Sequence, residues 1–176
     1  MSLPHAILTA LLEKPSSGLE LTRRFDKSIG YFWSATHQQI YRELAKLEES
    51  GFIRALPQQP SRGRKREYEV LPAGRAELVA WVGRSEDPRP VRDPLLLRLR
   101  ASAVVGQQGL GAEMERHLRL HERQLAEYLA IEERDFAQPA LSAEARLQYL
   151  VLRGGIDLER YWIGWLTAAL PEFPDR

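Results

Sequence analysis

Apolar and polar positions follow helical spacing over the first stretches of the chain. Residues 3–12 place an apolar side chain every three or four positions, and Pro15 is expected to end that helix because proline cannot continue it. The next residues, 16–18, read Ser-Ser-Gly and are expected to form a turn. A second short helix then directs Leu21 and Phe25 inward.

The third helix has a clear predicted start and end. Thr36 and Gln39 have the spacing of a capping box, which predicts that the helix opens there. Ile40 lies at the centre of its apolar stripe, which continues at Leu44 and Leu47. Gly51 is expected to end the helix, since glycine readily adopts the left-handed backbone found after a helix.

Two extended runs follow, GFIRALPQQ and RKREYEVL, separated by a tip of Pro, Ser, Gly and Arg. Residues 67–70 alternate polar and apolar side chains, as a half-buried hairpin arm does. After Pro-Ala-Gly at 72–74 a further helix carries Leu78, Val79 and Val82. Three helices, a hairpin and a helix describe a winged helix-turn-helix, although an unrelated small α+β domain has the same composition.

The second half of the chain is predicted to be helical. Residues 85–94 hold three prolines and five charges, which is typical of a linker. Asp93 and Pro94 form an N-cap and first-turn pair for the next helix. Longer helices are expected over roughly 111–137 and 142–170. The predicted fold is mainly α with a minor β part, in three segments: a winged helix-turn-helix domain (1–84), a linker (85–94) and a helical dimerisation domain (95–176).

The last helix carries two apolar stripes, and two stripes need two partners. One partner is expected to be the preceding long helix, and the other a second chain, although a buried helix in a monomeric bundle would show the same pattern. Gly154-Gly155 within this helix predicts either a kink or a close helix approach. The predicted dimer contacts are Leu147, Val151, Leu158, Tyr161, Trp162, Trp165 and Leu166.

Composition removes several classes of function. The 176 residues include no cysteine, so disulfides, thiolate nucleophiles and cysteine-based metal sites are excluded. Neither a signal peptide nor a membrane span is recognisable, so a cytoplasmic protein is expected. No nucleotide-binding or hydrolase motif occurs, so neither catalysis nor a cofactor is expected. His117 and His121 have a spacing that can hold zinc, but they are expected to be a solvated pair because no further ligand lies near.

The first half of the chain carries more basic than acidic residues. The net charge of +1 conceals 12 Lys/Arg against 8 Asp/Glu in residues 1–75, and 13 against 16 in residues 76–176. Part of the excess clusters at the hairpin tip, where like charges repel unless an anion arrives. A phosphate backbone is the commonest such partner, although a basic loop can also serve solubility. The clustered residues are Arg62, Arg64, Lys65 and Arg66.

The outer face of the third helix carries amides and bases. Gln38 and Arg42 lie near the pole opposite Ile40, where glutamine can pair with adenine and arginine with guanine. A polar solvated face is the alternative, and the adjacent basic tip favours duplex DNA as the partner. The predicted DNA-binding residues are Ser34, Thr36, Gln38, Gln39, Tyr41, Arg42 and Lys46 with Arg62, Arg64, Lys65 and Arg66.

Four segments resemble the PadR family of bacterial transcription regulators: MSLPHAILTALL, SIGYFWSATHQQIYREL, GRKREYEV and LPAGRAEL. MSLPHAIL and VRDPLLLRL are similar to its AphA-like virulence-activator branch. The resemblance implies a dimer with a winged helix at each end and a helical centre. It also implies DNA contacts from the third helix and from the wing, which is the hairpin over residues 51–71. One departure is Leu19, in SGLEL, where the family usually has tyrosine.

The resulting expectation is a homodimeric transcription regulator that binds palindromic double-stranded DNA and is neither an enzyme nor a membrane protein. A winged-helix adaptor that binds proteins is the alternative. Because some PadR relatives sense aromatic compounds, a small aromatic effector is a further expectation for this chain. The residues for its pocket are Tyr149, Tyr161, Trp162 and Trp165. The alternative is that these aromatic residues simply pack against one another at the dimer interface.

Overall fold

The chain folds into two compact units that divide after Pro88. No helix among the described residues combines the length and apolar character that a membrane span needs. The computed structural model describes residues 3–25, 35–57, 66–88, 90–107, 109–138 and 140–173.

The first unit combines helices with a small antiparallel sheet. The strand Glu67–Val70 lies between the strands Ser16–Ser17 and Ile53–Ala55, with Ser16 opposite Tyr68 and Ile53 opposite Val70. This arrangement confirms the predicted mainly helical fold with a minor β part. The elements are α1 (Leu3–Glu13), β1 (Ser16–Ser17), α2 (Gly18–Arg24), α3 (His37–Glu49), β2 (Ile53–Ala55), β3 (Glu67–Val70) and α4 (Pro72–Val82).

The prediction of a plain turn before α2 was wrong. Ser16 and Ser17 form β1, which pairs with Tyr68 and Glu67 of β3. Ser17 also caps α2, because its hydroxyl accepts from the Glu20 N–H at 3.3 Å while its own N–H donates to the Glu20 carboxylate at 2.9 Å. A two-residue strand is too short to show an alternating pattern, so the sequence displayed only its turn-forming residues.

The predicted inward stripes of the first three helices are confirmed by the core of this unit. Thr36 and Gln39 form the predicted capping box at the start of α3. Gly51 follows α3 with φ of +70°, the left-handed backbone that glycine tolerates. The buried core consists of Ile7, Leu8, Ala10, Leu11, Leu21, Phe25, Ile40, Leu44, Leu47, Ile53 and Tyr68.

Helix α4 packs on α1 through an aromatic stack. The His5 ring lies 4.4 Å from the Trp81 ring, centroid to centroid, with the planes 10° apart. Of the three apolar residues predicted for this helix, Leu78 packs on the core. Val79 and Val82 are 69% and 74% exposed, so only one of the three contributes to the buried face of α4.

The strand pattern ends before Pro72 as predicted, and residues 72–74 already form the first turn of the helix that follows, because α4 begins at Pro72. Proline is tolerated in the first turn of a helix, where its missing N–H would have no helical partner. Gly74 is buried, and a Cβ placed on it would lie 2.3 Å from the Phe52 carbonyl oxygen and 3.0 Å from Val70 Cγ1. The close approach of α4 to the sheet therefore requires glycine at this position.

The second unit is a helical hairpin preceded by a shorter helix. Asp93 caps the shorter helix as predicted, since its carboxylate accepts from the Leu95 N–H at 2.7 Å. Both long helices lie within a residue or so of their predicted bounds. The elements are α5 (Pro94–Val105), α6 (Leu110–Phe136), α7 (Ala143–Ala169) and a 3₁₀ turn (Leu170–Glu172).

One face of α7 packs within this unit, as one of the two predicted stripes requires. Leu152 and Ile156 are fully buried. A Cβ on Gly155 would lie 3.0 Å from Tyr128 Cε2, so of the two alternatives for the glycine pair the structure shows a close approach to α6. A second cluster toward the end of α7 contains Leu95, Leu110, Met114, Leu166, Leu170 and Phe173.

The histidines of α6 are not the solvated pair that was predicted. His121 Nδ1 lies 2.6 Å from Oε2 of the buried Glu159, and its ring stacks on Trp162 at 5.6 Å. His117 Nε2 lies 3.4 Å from a Glu113 carboxylate oxygen. Within the described ranges, no cluster of three or more His, Cys, Asp or Glu side chains could hold a metal ion.

We predict that Gly74→Ala lowers the free energy of unfolding by about 1–3 kcal/mol, because the added methyl meets a backbone carbonyl that cannot swing away. Gly83→Ala is the matched control at the C-cap of the same helix, where φ is −85° and the nearest atom to an added Cβ is 3.8 Å away. Urea titration of both variants measures the difference. Equal stability of the two would contradict the packing of α4 on the sheet.

Candidate nucleic-acid interface

The polar face of α3 is exposed because its opposite face is buried. Ile40 is fully buried, and helix geometry turns Gln38 and Arg42 about 160° away from it. Both side chains are exposed, as is Lys46 on the flank. The face therefore presents an amide and two basic groups to solvent, which is the chemistry predicted for it.

The capping box restricts what Gln39 can offer. Its side-chain oxygen accepts from the Thr36 N–H at 2.8 Å and from the Thr36 hydroxyl at 3.2 Å. Bidentate pairing with adenine uses both the oxygen and the NH₂ of a glutamine. Gln39 therefore keeps only its NH₂ free for such a contact while it caps α3, whereas Gln38 lies outside the capping box.

The Tyr41 ring packs against α2 at Gly18, which has no side chain. A Cβ on Gly18 would lie 2.5 Å from Tyr41 Cε1 and 3.0 Å from Cζ, so the ring occupies the space that any other residue would fill. Tyr41 nevertheless remains 50% exposed. Leu19, the residue after Gly18, is 39% exposed.

Two of the predicted cations have acidic neighbours. Lys46 Nζ lies 3.6 Å from a Glu43 carboxylate oxygen one turn earlier on α3. Arg66 Nη2 donates to Glu48 Oε1 at 2.7 Å, and its guanidinium carbon lies 5.5 Å from the centroid of the Tyr68 ring. Their positive charge is therefore partly balanced within the chain.

The Arg66–Glu48 pair also shows where the wing begins. Arg66 immediately precedes β3, and Glu48 lies in the last turn of α3. The root of the wing and the outer surface of α3 are thus joined by a direct contact. Four predicted DNA-binding residues lie outside the described residues: Ser34, Arg62, Arg64 and Lys65.

Most of the predicted dimer contacts form an open apolar stripe on α7. Leu166 does not belong to it, because this side chain is fully buried within its own unit. Trp162 and Trp165 are half-buried. Leu150, which the predicted seam missed, is 65% exposed on the same side of the helix. The exposed members of the predicted set are Leu147 (67%), Val151 (43%), Leu158 (54%) and Tyr161 (62%).

The four aromatic residues predicted for an effector pocket do not come together. The Tyr149 hydroxyl donates to Glu132 Oε1 at 2.6 Å, and its ring lies 5.2 Å from that of Phe136. Tyr149 also precedes Tyr161 by 12 residues, which is about 18 Å along a helix. Within a single chain, Tyr149 therefore lies apart from the other three residues, and a pocket lined by all four stays a prediction.

The other three aromatic residues do form a cluster. The Trp162 ring meets Tyr161 and Trp165 edge to face, each at 5.7 Å between centroids. The Trp162 ring also stacks on the His121 ring, at 5.6 Å between centroids. The cluster lies toward the end of α7, where the buried and the open face of the helix meet.

Comparison with known proteins places the chain in a family. Residues 7–80 match the PadR-like family of transcriptional regulators, and residues 91–173 match the C-terminal domain of virulence activators. A probable transcriptional regulator of Mycobacterium tuberculosis is 44% identical over 94% of both chains. The chain therefore belongs to the PadR-like family of transcriptional regulators, as the sequence motifs predicted, and its relatives are regulators rather than enzymes.

Solved structures share the fold over nearly the whole chain. The virulence activator AphA of Vibrio cholerae is 34% identical with a TM-score of 0.83, covering 98% of both chains. Bacillus subtilis PadR in complex with operator DNA is 29% identical with a TM-score of 0.82, covering 98% of this chain and 99% of that one. The same B. subtilis regulator in complex with p-coumaric acid has a TM-score of 0.80 at 28% identity, covering 99% of this chain and all of the other.

Proposed function

We propose that this chain is a cytoplasmic regulator that binds palindromic promoter DNA as a homodimer, with α3 in the major groove and the wing on the phosphate backbone. The observation that carries the proposal is the single surface formed by the exposed polar face of α3 and the wing root at Arg66. The complex of B. subtilis PadR with its operator supports the DNA partner. Its homologous fold covers both units of this chain.

The residues of the surface divide by what they can contact. Gln38 and Arg42 lie farthest from the buried stripe and carry the groups that pair with base edges, so we assign them to adenine and guanine. Gln39 contributes at most its NH₂ group while it caps the helix. Tyr41, on the flank, is assigned to a phosphate. Further phosphate contacts are assigned to Ser34, Thr36, Lys46, Arg62, Arg64, Lys65 and Arg66.

The homodimer is supported by the arrangement of the open stripe on α7. Leu147 and Tyr161 lie seven residues to either side of Gly154, and Leu150 and Leu158 lie four residues to either side. A Cβ on Gly154 would have no atom within 4 Å, so the centre of the stripe is open. An apolar stripe that is nearly symmetric along its helix suits an antiparallel crossing with its own copy, because a two-fold interface pairs the same patch on both chains.

A small aromatic effector is a second proposal. The p-coumaric acid complex of B. subtilis PadR supports it, and the aromatic cluster of the exposed Tyr161 with the half-buried Trp162 and Trp165 offers suitable chemistry in this chain. An aromatic ligand stacked there would touch the open stripe of α7. Such a ligand would therefore change the dimer contact as it binds.

We predict that Arg64→Ala and Arg42→Ala weaken DNA binding in different ways. Loss of the phosphate contact at Arg64 should reduce the slope of log affinity against log salt by about 0.9 for every duplex. Loss of the base contact at Arg42 should cost about 1–3 kcal/mol on the preferred site and much less elsewhere. Mobility-shift titrations at several salt concentrations measure both effects.

Arg100→Ala is the control for the DNA-binding variants. It removes the same charge from an exposed position on α5, in the second unit, which carries none of the residues assigned to DNA. If Arg42→Ala and Arg100→Ala had the same effect on preferred and unrelated duplexes, the base contact would be refuted. Affinity that does not depend on salt would favour the protein-binding adaptor instead.

We predict that Leu158→Glu yields a monomer at micromolar concentration, because the two-fold axis would bring two buried carboxylates into one apolar interface. Val79→Glu is the control, since Val79 is 69% exposed on α4 of the first unit. Sedimentation velocity separates the two variants. A dimeric Leu158→Glu variant, or a monomeric parent protein, would contradict the proposed role of the stripe.

A further inference from the structure

Arg66, a cation that the proposed function assigns to a DNA phosphate, already forms an ion pair with Glu48 of α3. Arg66 Nη2 lies 2.7 Å from Glu48 Oε1, with side-chain exposures of 55% and 29%. Tyr68, whose ring lies 5.5 Å from the guanidinium carbon, is buried in the core of the first unit. The guanidinium is thus held between a fixed ring and a carboxylate while more than half of the side chain faces solvent.

We propose that Glu48 is a specificity-determining residue that occupies Arg66 in the free protein and must be displaced by a DNA phosphate. This inference rests on the proposed function. Glu48 offers Arg66 a planar pair of anionic oxygens, which a guanidinium binds in the same way as it binds phosphate. A phosphate that binds Arg66 therefore replaces Glu48 as the partner of the guanidinium instead of binding a free arginine.

The exchange acts more strongly on unrelated DNA than on a preferred site. Binding to unrelated DNA depends on phosphate contacts alone, so an occupied arginine removes one contact from it. On a preferred site the base contacts of α3 hold the duplex in register, and this register can place a phosphate at Arg66. The energy of displacing Glu48 is then offset only where the base contacts are correct.

Glu49 provides a matched control for the charge of Glu48. It is the next residue on α3, it is exposed, and it turns about 100° farther around the helix. Glu49→Gln removes the same charge near the same surface without releasing Arg66. Any general effect of a lost negative charge on DNA binding is therefore common to both variants.

The test is a salt series with a duplex of unrelated sequence, about three helical turns long. Glu48→Gln should bind it about two- to fivefold more tightly than Glu49→Gln, the range expected from an exposed ion pair. Its slope of log affinity against log salt should be steeper by about 0.9, since Arg66 becomes available for one more phosphate. On the preferred duplex the same variant should gain less.

A second arm tests whether the effect passes through Arg66. In the Arg66→Gln background, Glu48→Gln should no longer steepen the slope, because there is no arginine to release. All five proteins should melt at similar temperatures, since both side chains are partly exposed. A slope for Glu48→Gln equal to that for Glu49→Gln, or an undiminished effect without Arg66, would overturn the inference while leaving the proposed function intact. A parent protein that binds no duplex at all would refute both.

Discussion

Burial of the apolar stripe of α3 is the constraint on which the candidate site depends. Ile40, Leu44 and Leu47 are at most 3% exposed, because they pack against α1 and the sheet. With that stripe buried, the rotation of α3 is set and its polar side chains can only face outward. The same placement brings Tyr41 onto Gly18 and Glu48 to Arg66, so the site is a direct consequence of the core.

In the second unit, burial of an apolar stripe also sets the rotation of a helix, α7, but a second apolar stripe of that helix stays exposed. One face of α7 packs on α6, and Gly155 allows the two helices to approach at Tyr128. The opposite face exposes large apolar side chains, for which burial against a second chain would be favourable. A dimer formed there would give each DNA-reading surface a symmetric partner, which is what a palindromic site requires.

Local features of the fold could be predicted from the sequence because local spacing encodes them. The stripes of α1 to α3, the capping box at Thr36 and the cap at Asp93 all depend on residues within one or two turns. Contacts between distant residues could not be predicted in this way. Glu48–Arg66 joins residues 18 apart and His121–Glu159 residues 38 apart, and no local pattern links such pairs. The prediction that Val79 and Val82 face inward was wrong for a similar reason, since the buried face of α4 is decided by which side of the helix meets α1.

In the proposed complex, two copies of this surface read DNA together. Selection of bound sequences from a pool of random duplexes tests this claim most directly, because it reports binding, symmetry and spacing in one measurement. Binding by a two-fold symmetric dimer should enrich inverted half-sites whose centres lie about one helical turn, or a multiple of it, apart. Recovery of no enriched sequence, or of a single asymmetric element, would contradict it.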